Sequence, residues 1–209
     1  MAKWPNVPAV YGWLALDRRG NWLIKRETIG NAALNAFISR NYLHDDAGRW
    51  FFQNGPQRVF VDLDYTPFVY RVTNDLHAPL ALATHAGDAV NTVRDAHIDE
   101  QGTVLIHTDH GIGIVHDQDL DPLLLASMID ANGNVVEESV FDELVELIEH
   151  QQPIPLWLKF RDSSIRLEPI QSATVPKRFG FDAHPSPHHL ITSHQSPITS
   201  YQLPVTSHQ

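Results

Sequence analysis

The sequence Asp17-Arg18-Arg19-Gly20 is the strongest indication of the fold, because its Asp-x-x-Gly pattern occurs four times in the 209-residue chain. The other copies are Asp45-Asp46-Ala47-Gly48, Asp99-Glu100-Gln101-Gly102 and Asp130-Ala131-Asn132-Gly133. An Asp at the first position of a type I turn accepts hydrogen bonds from following backbone N–H groups. A Gly at the fourth position adopts the left-handed conformation of a bulged hairpin loop. The four copies therefore predict tight corners between short strands.

Two helical segments interrupt the predicted strands. Asn31 is a suitable N-cap for a helix that runs to about Tyr42, and Ser139 is suitable for one that runs to about His150. The sequence thus predicts a β-rich α+β fold of two related units, each an antiparallel sheet or small half-barrel with one helix. We place the N-terminal α+β unit at 1–72 and the C-terminal α+β unit at 80–174.

Residues 175–209 are predicted to be a low-complexity, disordered tail. The triplets Ser193-His194-Gln195, Ser200-Tyr201-Gln202 and Ser207-His208-Gln209 recur every seven residues. Prolines at 197 and 204 break any heptad helix, so a coiled coil is not expected. The composition is typical of a segment that cannot bury a core.

Composition narrows the classes of function. The chain has no cysteine, which excludes disulfides and thiolate chemistry. Residues 73–152 carry one Lys/Arg against sixteen Asp/Glu, whereas 1–72 carry nine against six. No cationic cluster indicates nucleic-acid binding, and no apolar run is long enough to span a membrane. We expect a cytoplasmic protein that binds neither nucleic acid nor membrane and needs no cofactor.

The segment 49–58 is the strongest candidate for a binding site. It combines two guanidinium groups, an amide-rich turn and aromatic rings, which suit a small anionic ligand or a protein partner. The predicted ligand-binding residues are Arg49, Trp50, Asn54, Gln57 and Arg58, with Trp13 and Trp22 as walls or supports of a groove between the two units. The alternative interpretation is a core strand pair with a solvated turn.

Two other functions stay open at this point. His107, His110 and His116, with Asp117 and Asp119, offer imidazole and carboxylate ligands for a metal-dependent hydrolase. A purely structural assembly protein that pairs through an exposed sheet edge is the third interpretation. No nucleophile elbow, P-loop or helical metal motif is present, so the sequence favours a protein that is not an enzyme.

Two family resemblances agree with this expectation. From Tyr11-Gly12-Trp13 through the hairpin at 51–59 to Tyr65-Thr66-Pro67, the sequence resembles an uncharacterised proteobacterial domain-of-unknown-function family over most of residues 1–125. Asp17-x-x-Gly20-x-Trp22, Asp46-x-Gly48 and Pro67-Phe68-Val69 more distantly resemble a second family of unknown function. That family has repeated α+β motifs and a link to signalling through ligand binding. The resemblance implies a sensor or binding module and carries over no catalytic residue.

Overall fold

The computed structural model describes residues 7–73, 78–120, 127–136 and 139–187, which form two sheets. The first sheet has the order β3-β2-β1-β6-β5-β4, in which only β1 and β6 are parallel neighbours. Its strands are β1 (Ala9–Leu16), β2 (Trp22–Ile24), β3 (Glu27–Thr28), β4 (Tyr42–His44), β5 (Trp50–Asn54) and β6 (Gln57–Leu63). Helix α1 (Ala32–Arg40) begins after Asn31, whose side chain accepts the N–H of Leu34 as an N-cap.

The second sheet has the order β12-β13-β14-β9-β10-β11-β7-β8. Its strands are β7 (Phe68–Val72), β8 (Leu82–Thr84), β9 (Val93–Asp99), β10 (Val104–Thr108), β11 (Ile112–Val115), β12 (Met128–Ile129), β13 (Trp157–Phe160) and β14 (Ser163–Ile170). Helix α2 (Ser139–Glu149) precedes β13, and helix α3 (Val175–Phe179) follows β14. The predicted β-rich α+β class with two sheet units, one of them a half-barrel, is confirmed.

The two sheets share part of their element order. In each, a first strand reaches an Asp-x-x-Gly corner, a second strand returns, and a helix follows later in the chain. A hairpin comes after the helix, and its last strand pairs parallel to the strand before the corner: β6 beside β1, and β14 beside β9. Strands β7 and β8, which precede β9 in the chain, have no counterpart in the first sheet. This shared topology supports the prediction that the units are related.

All four predicted corners are present with one geometry. In each, an Asp Oδ1 accepts the N–H groups of the residues two and four positions later, at 2.8–3.1 Å. The four glycines have φ between 73° and 83°, in the left-handed region. Two further corners, 84–87 and 108–111, use a Thr hydroxyl in place of the carboxylate. The predicted pattern requires Asp at its first position and therefore does not include these two corners.

The second sheet packs on both of its faces. Its side chains alternate, so Val69, Leu105 and Ile114 meet the first sheet, whereas Tyr70 and Ile106 point the other way. The face of the second sheet that carries Tyr70 and Ile106 forms a second core with α2, with β13 and β14, and with the chain that joins α2 to β13. Their buried residues are Leu144, Ile148, Ile154, Leu156, Leu158 and Leu167. Full burial of one such Leu stabilises the fold by roughly 1.5–3 kcal/mol.

The predicted unit boundaries need two corrections. Strand β7 falls within 1–72 but is hydrogen-bonded to β11 and β8 in the second sheet. Residues 175–187, assigned to the tail, are folded: α3 buries Val175, and Phe181 is 8 % exposed. The segment after α3 crosses back to the first sheet, where the Asp182 N–H donates to the Gly48 carbonyl at 3.0 Å. The repeated triplets lie outside the described residues.

Candidate ligand-binding cleft between the two sheets

Two adjoining cavities, of about 280 and 160 Å³, open where the sheets meet, and they share His44, Trp50 and His110. We call this region the aromatic cleft. The first sheet contributes Tyr42, His44 and Trp50, and the second contributes Phe68, His107 and His110. Residues 179–181, at the C-terminal end of α3, close one end. Concave, largely apolar sites with a few polar groups are the usual form of small-ligand sites.

The wall of the cleft follows from strand register. His44 is paired with Trp50, and Tyr42 with Phe52, so Tyr42, His44 and Trp50 share one face of the first sheet. The Trp50 ring lies 4.7 Å from that of Tyr42 and 5.1 Å, nearly perpendicular, from that of Phe68. The Tyr42 hydroxyl donates to the Pro67 carbonyl at 3.2 Å, and burial raises the pKa of this phenol well above its usual value. The wall is therefore held in place from both sheets.

Three histidines, together with Ser39 and Asp88, supply polar groups to the cleft. His44 Nδ1 lies 3.2 Å from the Asp45 carbonyl oxygen, and His110 Nε2 lies 3.0 Å from that of Ala89. Because a carbonyl oxygen only accepts, each of these ring nitrogens carries the hydrogen. In a neutral ring the other nitrogen, Nε2 of His44 or Nδ1 of His110, is then an acceptor.

The third histidine, His107, is held by a carboxylate. It lies opposite Asp95 in the register of β9 and β10, and its Nδ1 is 3.0 Å from Asp95 Oδ2. Asp95 Oδ1 also binds Nε2 of the fully buried His97, at 2.8 Å. Burial raises the pKa of Asp95, but the hydrogen bonds with His97 and His107 outweigh it, so the pKa is lowered. With Nδ1 engaged, Nε2 of His107 is the nitrogen left for the cleft.

The predicted hairpin residues lie on two faces and do not form one site. Trp50 lines the aromatic cleft, and Trp22 lies beneath it, 3 % exposed, with its Nε1 donating to Ser39 Oγ at 3.0 Å. Arg49 and Arg58 are on the opposite face of the sheet, where their guanidinium groups lie over Phe60 and Phe51 at 4.9 and 4.7 Å. Side-chain alternation along β5 and β6 separates the two sets.

The Arg49 side chain also forms hydrogen bonds with Asp45, the first residue of the corner at 45–48. Its Nε and Nη2 donate to Asp45 Oδ2 at 2.8 and 2.6 Å, and both side chains are mostly buried. Burial raises the pKa of Asp45, but the bonds from Arg49 and backbone N–H groups more than compensate, and the pKa is lowered. This bidentate pair is structural, so Arg49 does not serve an anion at the cleft.

The remaining predicted residues support the first sheet. Gln57 is buried, and its Nε2 donates to the Val7 carbonyl. Asn54 pairs with Gln57 across the two-residue turn of the hairpin. Trp13 lies on β1 under the ammonium of Lys25, 4.3 Å from its ring centroid. None of these three side chains lines either cavity of the cleft.

The three-histidine metal site predicted as an alternative is wrong. His107 and His110 both border the cleft, but His116 accepts the Gln118 N–H at 3.1 Å as cap of a short 3₁₀ turn. His107 is opposite Ile112 in the sheet, so His116 lies four residues further along that edge, roughly 13 Å away. In the described part of the chain no group of three His, Cys, Asp or Glu could hold a metal ion.

Sequence reasoning missed Tyr42, His44 and Phe68 as cleft residues. A signal exists for His44 and Trp50, because they flank the corner at 45–48 and must therefore be cross-strand neighbours. No such signal exists for Phe68, which reaches the cleft through contact between two sheets.

Among the described residues, no helix is long and apolar enough to cross a membrane.

The fold and the cleft define a β-rich α+β protein of two related sheets with a cavity at their junction. The chain belongs to the family DUF2944, described as "Protein of unknown function (DUF2946)", whose match covers residues 1–186. The resemblance to families of unknown function is thereby confirmed. No curated protein matches the chain.

Two solved structures are similar to this chain, and both are of DUF1285 family proteins. The protein from Silicibacter pomeroyi DSS-3 is 16% identical with a TM-score of 0.50, over 78% of this chain and 82% of its own. The protein from Shewanella baltica OS155 is also 16% identical, with a TM-score of 0.37, over 51% of this chain and 86% of its own. The first of these likenesses concerns the fold alone.

Proposed function

We propose that this protein is a binding module that takes a small planar ligand into the aromatic cleft. The observation that carries the proposal is the arrangement of Trp50, Tyr42 and Phe68 beside three imidazoles, each with one nitrogen directed away from its protein partner. Aromatic walls favour flat rings, because stacking adds about 0.5–1.5 kcal/mol beyond the burial of area.

The imidazoles determine which hydrogen bonds the ligand makes. In their neutral forms, His44, His107 and His110 each present an acceptor nitrogen, as the bonds to Asp45, Asp95 and Ala89 require. The preferred ligand is therefore a heterocycle with N–H or O–H donors at its edge. An unpaired acceptor in the cleft costs about 1–3 kcal/mol, so a ring without donors binds less well.

This proposal replaces the anionic ligand predicted from the hairpin with an uncharged one. The guanidinium groups of Arg49 and Arg58 face away from the cleft, and Arg49 is bound to Asp45. Anion recognition through this pair is therefore not part of the proposed site. The Asp88 carboxylate also lines the larger cavity and disfavours an anionic ligand there, so an uncharged heterocycle is preferred.

The test is a thermal-shift screen of purine bases, pteridines and indoles, followed by calorimetry on the hits. Trp50→Leu is expected to weaken each hit at least fivefold, and His107→Gln is expected to weaken donor-bearing hits more than others. Trp13→Leu is the matched control, because Trp13 stacks with Lys25 and lines neither cavity. Equal losses in Trp50→Leu and Trp13→Leu would refute the proposed site.

Two more variants separate the binding role from a structural one. Trp50→Phe keeps an aromatic wall and is expected to restore part of the affinity lost in Trp50→Leu. Arg58→Ala is expected to leave every affinity unchanged, because Arg58 lies on the other face of the sheet. If Arg58→Ala weakened the hits and Trp50→Phe did not rescue them, the ligand would bind the outer face instead.

A further inference from the structure

We infer a second, separate site, which binds an oxyanion, a carboxylate or phosphate group, attached to a short apolar body. It is a cavity of about 400 Å³ between the corner at 17–20 and the corner at 99–102. Arg18, Arg19, Asp117 and Gly102 border its polar side, and Ile114, Val115 and Leu120 form an apolar side, so the charged lining residues are two arginines and one carboxylate. We call it the Arg18 cavity. It shares no lining residue with the aromatic cleft.

The Arg18 side chain is held by contacts with residues outside its own corner. Its guanidinium lies over the Tyr65 ring, 4.7 Å from the centroid, and its Nη2 donates to Thr103 Oγ1 at 2.8 Å. The Tyr65 hydroxyl in turn donates to Asp99 Oδ2 at 2.8 Å, and Asp99 is fully buried. A guanidinium that is already ordered loses less conformational entropy when it binds a ligand.

The buried Asp99 carboxylate does not compete for Arg18. Its Oδ1 accepts the N–H groups of Gln101 and Thr103, at 2.9 and 2.8 Å, and its Oδ2 accepts the Tyr65 hydroxyl. Tyr65 therefore contacts the Asp99 carboxylate through its hydroxyl group and Arg18 through the face of its ring. Burial and the bond to Asp99 also raise the pKa of Tyr65 far above its usual value, so the ring stays neutral.

The charge of Arg18 is available, in contrast to that of four other arginines. Arg19, Arg26, Arg49 and Arg71 form ion pairs with Asp117, Asp64, Asp45 and Asp119. Within residues 7–73, 78–120, 127–136 and 139–187, the structure gives Arg18 no ion pair, and one N–H bond, to Thr103. A guanidinium has five N–H donors in a planar fork that fits carboxylate and phosphate oxygens, so several remain for a ligand.

The neighbouring pair Arg19–Asp117 supports the same role. Its two atoms are 2.6 Å apart, but both side chains are more than half exposed, so the pair contributes little to stability. An oxyanion beside Arg18 can therefore share Arg19 when the half-exposed Asp117 carboxylate, which also borders the cavity, turns away into solvent. Because the whole chain carries a net charge of −10, the ligand is attracted by these local groups and not by the overall field.

The test uses phenyl phosphate, benzoate, inorganic phosphate and benzyl alcohol as probes, with binding followed by ¹H–¹⁵N NMR and calorimetry. Phenyl phosphate or benzoate is expected to bind, to shift the Gly102 amide and the Arg18 Nε signals, and to bind more tightly than inorganic phosphate. Benzyl alcohol, which has no charge, is expected to bind at least tenfold more weakly. Equal binding of benzyl alcohol would overturn the anion assignment.

Two arginine variants test whether the anionic probes bind at Arg18. Arg18→Gln is expected to lower the affinity for the anionic probes at least tenfold. Arg58→Gln is the matched control, because its guanidinium also lies 4.7 Å over an aromatic ring but lines none of the three cavities. Equal losses in both variants would mean non-specific attraction to surface charge and would refute the site.

Tyr65→Phe tests the positioning of Arg18. It keeps the ring under the guanidinium and removes the bond to Asp99, so the affinity is expected to fall less than in Arg18→Gln. Trp50→Leu is expected to change nothing for these probes. If Trp50→Leu abolished their binding, the anions would occupy the aromatic cleft and the Arg18 cavity would not be their site.

Discussion

His85 is expected to make the stability of this protein depend on mildly acid pH. Its ring lies 5.4 Å from that of Trp22 and 6.0 Å from those of Tyr42 and Phe68. Its Nδ1 accepts the Val69 N–H at 3.4 Å, and its Nε2 is buried. Burial lowers the pKa of His85 from 6.5 to about 4, so the folded protein keeps this ring neutral.

The sign and the size of the change in the free energy of unfolding with pH follow from proton linkage. Between pH 6.5 and pH 4 the unfolded chain binds a proton on His85 and the folded chain does not, so acid favours unfolding. The contribution is fully present above pH 6.5 and is lost as the pH falls through 4. At about 1.4 kcal/mol for each pKa unit, the free energy of unfolding decreases by about 3 kcal/mol from pH 7 to pH 4.

Urea unfolding at pH 7, 5.5 and 4, followed by tryptophan fluorescence, measures this loss. His85→Asn is the comparison, because its amide oxygen can accept the Val69 N–H but does not titrate. The wild-type protein should lose about 3 kcal/mol more than the variant over this range. The carboxyl groups of Asp45, Asp95 and Asp119, whose pKa is also lowered, are present in both proteins and cancel in the comparison. Parallel pH curves for the two proteins would refute the reasoning.

Two further predictions concern the segment that returns to the first sheet. Gly48→Ala places a Cβ 2.1 Å from the Gly180 carbonyl oxygen at φ 73°, so it should lower the free energy of unfolding by about 3 kcal/mol. Gly133→Ala is the control, because it has φ 83° but no atom within 4 Å of the new Cβ, and it should lower the free energy of unfolding by about 1 kcal/mol. Equal losses in the two variants would contradict the close contact between residue 48 and Gly180. Phe181→Ala should cost about 3 kcal/mol in urea unfolding, because this ring is 8 % exposed in the core; a loss under about 0.5 kcal/mol would show that the segment is not packed.

The local parts of the fold could be predicted from the sequence because their causes are local. An Asp and a Gly three residues apart are sufficient for a corner, and all four predicted corners are present. Asn31 caps α1 for the same reason, since the bond to the Leu34 N–H needs only a short side chain at the right distance along the chain. Long-range pairing is different: nothing near β7 indicates that it joins β11 in the second sheet.

The binding residues were harder to predict because a strand has two faces. Arg49, Trp50 and Arg58 are close in sequence, and their chemistry suggested one site. The alternation of side chains sends Trp50 to the cleft and both arginines to the outer face. The register of the sheets also determines the pairing of His107 with Asp95, twelve residues away. Sequence spacing alone does not fix such a pair.

The corners connect the scaffold to both proposed sites. In an Asp-x-x-Gly corner the first and last residues are fixed by hydrogen bonds and backbone conformation, whereas the two middle side chains are free to vary. Arg18 and Arg19 are the middle residues of one corner, and His110 is a middle residue of the related corner at 108–111. Both sites are therefore bordered by positions at which the turn itself requires no particular side chain. Replacing such a residue, as in Arg18→Gln, is expected to change ligand affinity with little effect on folding. Replacing Asp17 removes the bonds of its Oδ1 with the N–H groups of Arg19 and Asn21, so it is expected to disturb both ligand affinity and folding.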